Sequence, residues 1–154
     1  MYENAYTGGP WGLSAETLAS AGIPVRAMVA PIIPGLNDRE VPALLKAARG
    51  AGAWDARYIL LRLPLTVEPV FEEWLLRTHP LQAAKVNGHI RQTRGGKMNA
   101  STWGTRMVGT GVLAEQIRTM FTVFRKQLGF GDLPPLACDL FRPPPDKNGQ
   151  QLLF

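Results

Sequence analysis

The sequence predicts an α/β fold built around two parallel strands, on three observations. Residues 25–30 (Val25–Arg26–Ala27–Met28–Val29–Ala30) are an apolar, β-rich run cut off by Pro31, Pro34 and Gly35. Val41, Leu44, Leu45 and Ala48 then recur at the spacing of one helix face. A second run, Arg57–Leu63, is nearly continuous in apolar and β-preferring residues, as expected of a parallel strand buried on both faces. Strand, helix and strand in this order make a βαβ unit with a right-handed crossover.

Taken in order, residues 1–13 show no periodicity and carry the breakers Gly8, Gly9, Pro10 and Gly12, so they read as a loose leader. Ser14 caps a short helix over 15–21, which Gly22 ends. The first strand stops near Ala30, because Pro31 and Pro34 cannot donate to a ladder. Gly35 permits a turn that a side chain resists, and Asn37 or Asp38 caps the next helix, over 39–49. Pro42 sits in its first turn, where the missing N–H costs least; Gly50 and Gly52 end it.

The second strand spans 57–63 and ends at Pro64. Arg62 near its end is expensive unless it is paired or opens onto a polar site. After Thr66, the stripe Val67, Val70, Phe71 and Trp74 marks a helix that ends at His79–Pro80. A further helix runs from Leu81 to about Gln92, weakened by Gly88 by about 1 kcal/mol relative to alanine. Arg94–Gly95–Gly96–Lys97 opens a Gly-rich segment reaching Gly111; it is long for a connection and lacks P-loop spacing. Leu113, Ile117, Met120, Phe121, Phe124 and Leu128 then define the clearest helix, 113–128, with Gly129 just past its end. Residues 14–129 form the body and 130–154 a Pro-rich tail.

Composition is that of a globular domain: 154 residues, 45% hydrophobic and 19% charged, enough for one real core. No run approaches the roughly 18 apolar residues of a membrane span, and no signal peptide is visible, so a cytoplasmic address is the default. The net charge of +5 is localised. Between Glu73 and Glu115 there is no acid but six bases: Arg77, Lys85, Arg91, Arg94, Lys97 and Arg106. Such a field attracts phosphate or carboxylate, and Arg91, Arg94, Lys97 and Arg106 are the candidate nucleic-acid or phosphate contacts.

Catalytic signatures are lacking. The only cysteine, Cys138, lies between apolar neighbours and reads as a buried structural thiol. His79 and His89 do not match metal-ligand spacing and read as solvated or capping residues; no metal site and no catalytic residue is assigned.

Six stretches, in order, carry a resemblance: AGIPVRAMVAPIIPGLND (21–38), LLRLP (60–64), FEEWL (71–75), KVNGHIRQTRGGK (85–97), GTRMVGTG (104–111) and FRKQLG (124–129). Together they resemble the C-terminal half of radical S-adenosylmethionine proteins, in the branch similar to spore photoproduct lyase and often labelled DNA repair photolyase. The resemblance implies a partial (βα) barrel in which the two strands here are the fifth and sixth. It implies that Gly35, Asn37, Asp38 and Arg62 border S-adenosylmethionine at the C-terminal ends of the strands. Intact relatives use a 4Fe–4S cluster, held by three closely spaced cysteines, to cleave that cofactor to a 5′-deoxyadenosyl radical.

This chain departs from the pattern, having Cys138 alone, whereas such clusters need several thiolates. It therefore reads as a fragment of such an enzyme: inactive alone, with no cofactor of its own, and partnered by a missing N-terminal half or by itself. Two further readings stand beside it: a non-catalytic basic module that binds nucleic acid, and a truncated product without function.

Overall fold

In the computed structural model the described residues are 10–139. They form an α/β arrangement of five helices and a two-stranded sheet. The order is α1 (Pro10–Ser20), β1 (Arg26–Ile32), a 3-10 turn (Asp38–Glu40), α2 (Val41–Gly50), β2 (Asp55–Leu60), α3 (Val67–Thr78), α4 (Ala83–Gln92) and α5 (Gly111–Gln127). β1 and β2 pair in parallel, Arg26 opposite Asp55 through Val29 opposite Tyr58. The expected βαβ unit is therefore present.

Several boundaries differ from expectation. α1 begins at Pro10, so the end of the presumed leader is helical; its first nine residues and the tail beyond 139 lie outside the described residues. β1 runs through Pro31 to Ile32 instead of stopping at Ala30, with a cis Ala30–Pro31 bond and a register irregularity between Val29 and Ile32. The ladder skips the residue that cannot donate and resumes after it. β2 is shifted towards its N-terminus, because Asp55 and Ala56 already pair with Arg26 and Ala27; beyond Leu60 one bond to β1 remains, from the Leu61 N–H to the Ile32 carbonyl. α4 starts at Ala83, and Leu81 is fully exposed.

The core has two parts. Ile32, Ala56 and Leu60 of the sheet pack with Val41, Leu45 and Ala48 of α2 and Ala114, Ile117 and Phe121 of α5. The second part, Leu63, Leu75, Ala83, Val86, Ile90 and Met98, lies beneath the segments that follow the strands. In α3 Leu75 is buried with Phe71 and Trp74 partly buried against the second core, whereas Val67 and Val70, two of the four expected stripe residues, are exposed. The apolar stripe of α5 faces the first core as its spacing predicts, Ile117 and Phe121 buried and Leu113, Met120, Phe124 and Leu128 partly buried, and Gly129 follows the helix at positive φ.

The two faces and two edges of the sheet are treated unequally. α2 and α5 cover the face that carries Ala27, Val29, Ala56 and Tyr58. On the opposite face Met28 is 53% exposed and Arg57 is also exposed, so burial on both faces is not seen among the described residues. The outer edge of β2 is capped at its last residue: the Leu60 N–H donates to the Met107 carbonyl at 2.9 Å, and Arg94 Nη2 donates to the Leu60 carbonyl at 3.2 Å. Gly109 (φ +75°) packs so tightly here that a Cβ would lie 2.9 Å from Leu60 Cδ1. No strand of the described residues covers the outer edge of β1, which instead lines a cleft of about 830 Å³ walled by Leu18 of α1 and Leu44 of α2. No helix among the described residues is long and apolar enough to cross a membrane.

Candidate functional site

The loop after β1 is held by its own side chains. Asn37 Oδ1 accepts the Ile33 N–H at 2.7 Å, Asn37 Nδ2 donates to the Pro31 carbonyl at 3.1 Å, and Asp38 Oδ1 accepts the Gly35 N–H at 3.1 Å. Neither residue makes a side-chain cap to the helix, as the sequence suggested. The turn turns back on itself first, which consumes the capping oxygens. Pro34 is buried beneath it.

Gly35 has φ +82°, and a Cβ there would collide with His89 Nδ1 on α4. His89 is thus the floor of the loop, not a solvated residue, and its Nδ1 is buried without a hydrogen-bond partner. The signal was present in the sequence: His89 lies three residues after Val86 and beside Ile90, on the flank of the buried stripe. Gly35→Ala should therefore both strain the backbone and push His89 aside, a loss of about 2–4 kcal/mol in urea unfolding. A mutant within experimental error of the parent would show that the loop can relax freely.

Arg62 lies at the same end of the sheet, because the Leu61 N–H donates to the Ile32 carbonyl at 2.8 Å. Its Nη1 approaches Met107 Sδ at 3.9 Å, and its Nε is buried without a partner. Arg94 is only 4% exposed. It donates Nη2 to the carbonyls of Leu61 (2.7 Å) and Leu60 (3.2 Å), and Nη1 to the carbonyl of Arg106 (2.8 Å). Burial, then the nearby charge of Arg62, lowers its pKa from the ordinary arginine value.

The basic run is accordingly not one surface patch. Arg94 is internal, Arg91 faces Glu72 at 3.9 Å, Lys97 is exposed, and Arg106 is half-buried in the turn over β2. Gly35, Asn37, Asp38 and Arg62 do share one end of the sheet, with Arg94 and Arg106 behind Arg62. His79 stacks edge-on against Trp74 at the end of α3. Cys138 is exposed, not buried, because it follows α5 outside both core clusters. No group of three or more His, Cys, Asp or Glu that could hold a metal ion occurs among the described residues.

A second polar cluster, unforeseen from sequence, sits at the opposite end of the sheet. Asp55 is completely buried and accepts from Arg26 (2.7 Å), Arg57 (3.2 Å), Arg125 (2.7 Å) and the Ala56 N–H (2.7 Å). Three arginines on one carboxylate at the base of the strands form a structural anchor remote from the loops. No family model, curated protein or solved structure matches this chain.

Proposed function

We propose that this chain is the C-terminal wall of a radical S-adenosylmethionine partial barrel of the spore photoproduct lyase-like kind, active only when earlier strands are supplied by another segment. The observation that carries the reading is the unequal treatment of the sheet edges. The outer edge of β2 is capped at Leu60 by the Met107 turn, whereas β1 presents an open edge along an apolar cleft. An edge left bare in this way is a template for one more strand. The exposed Met28 face is what the interior wall of a barrel looks like before the barrel is complete.

The iron–sulfur cluster does not fit on this chain, since Cys138 is its only cysteine and such clusters need several thiolates. Its ligands belong to the complementing segment. Gly35, Asn37 and Asp38 shape the ligand loop; their hydrogen bonds are already made within it. Arg62 is the side chain free to meet a ligand.

The test is to co-express the full chain, under anaerobic conditions, with a separate polypeptide carrying the three-cysteine motif and the four earlier strands of such a protein. The expected result is a stable complex that forms 5′-deoxyadenosine from S-adenosylmethionine, which neither part does alone. Met28→Lys should abolish the association, while Lys46→Gln on the exposed face of α2 should not. A stoichiometric cluster on this chain alone, or no association with the complementing part, would overturn the reading.

A further inference from the structure

Arg62 is a half-buried cation without a counter-charge. Its single hydrogen-bond partner is the thioether of Met107, a weak acceptor, and its Nε–H has none. No carboxylate of the described residues pairs with Arg62, Arg94 or Arg106; the ion pairs lie elsewhere, on Asp55, Asp132, Glu72 and Glu115. Arg94 stands directly behind Arg62, since it bonds the carbonyl of Leu61 and that of Arg106, the residues adjacent to Arg62 and to Met107. Two guanidinium groups held together, one buried and one half-buried, repel each other and lose hydration. Folding tolerates this where an anion completes the site.

We propose that Arg62 is the recognition residue of a small-oxyanion site, for a phosphate or a carboxylate, at the C-terminal end of β2. Arg94 does not touch the ligand. It fixes the backbone on both sides and adds its positive field, while the two terminal nitrogens of the Arg62 fork, whose Nε is enclosed, offer paired N–H donors to two oxygens. The site stands on these contacts alone and does not depend on the radical-enzyme reading.

The experiment is calorimetric titration of the full chain, at low ionic strength, with inorganic phosphate and separately with acetate. One of the two should saturate at a single site per chain, and which one does so identifies the ligand class. Arg62→Gln should weaken binding by about tenfold or more, and Lys46→Gln, which removes the same charge from an exposed helix face, by less than about twofold. Should Arg62→Gln lose its helical circular dichroism, Arg62→Lys decides: it keeps the charge without the fork and should bind at least about threefold more weakly. Failure of both anions to saturate, equal losses in Arg62→Gln and Lys46→Gln, or unchanged affinity in Arg62→Lys would overturn the proposal.

Discussion

Replacing Asp55 with alanine is expected to remove about 3–5 kcal/mol of stability, the usual cost of breaking a buried charge cluster by deleting one partner. Its side chain is fully enclosed, whereas those of Arg26, Arg57 and Arg125 are 38%, 50% and 22% exposed. Arg26 and Arg57 can rehydrate. Arg125 loses both of its bonds to Asp55 and keeps only Asp132 and the Gly131 carbonyl, while the Ala56 N–H loses its side-chain acceptor inside the protein. Urea unfolding of Asp55→Ala and Asp55→Asn measures it; a change under about 1 kcal/mol would show that the cluster is neutral to folding.

The same residue sets an acid limit. Burial of the Asp55 carboxyl raises its pKa, but hydrogen bonds from Arg125, Arg26 and the Ala56 N–H, with the charge of Arg57, outweigh burial and hold it below the ordinary carboxylate range. A folded-state pKa below the unfolded value contributes stability that is complete above about pH 4 and is lost as pH falls through the folded value. The stability difference between the parent and Asp55→Asn should therefore be constant near neutrality and shrink in acid. A difference that grows as pH falls would contradict the sign.

Arg94→Met should cost about 2–4 kcal/mol, because three carbonyls on two separate segments lose charge-assisted donors at once. Arg94→Lys should not rescue it: one ammonium cannot reproduce a planar fork that spans Leu60, Leu61 and Arg106. Hydrogen exchange at the Leu60 and Thr110 amides should accelerate, since the turn that shields β2 is tied down by this side chain. Unchanged exchange in Arg94→Met would mean that packing at Gly109 suffices to hold the turn.

The strand–helix–strand unit was legible because periodicity and breakers report directly on burial. The stripe of α2 and the stripe of α5 with Gly129 appear where their spacing places them. What failed was whatever depends on which partner a polar side chain chooses, whether within its own loop or far along the chain. Asn37 and Asp38 look like caps in isolation, yet backbone groups within the same loop compete for their oxygens. Arg94 looks like surface charge among glycines, and only the carbonyls of residues 33 and 34 positions away make its burial affordable. Asp55 opens its strand with a short acidic side chain that local propensity disfavours, and its three arginines come from β1, β2 and α5. The candidate site was half visible: its loop and Arg62 stood out as a broken strand and a misplaced charge, whereas His89 needed the helix face to be read beyond its apolar members.

The one-sided closure of the sheet also limits how copies of this chain can add to one another. Fibrous growth by strand addition needs two docking rims on every unit, one to receive and one to offer. Here the Met107 turn and the Arg94 side chain obstruct one of them at Leu60. Were two molecules to join through their β1 rims, the pair would offer no further β1 rim, and extension would have to begin at the obstructed one.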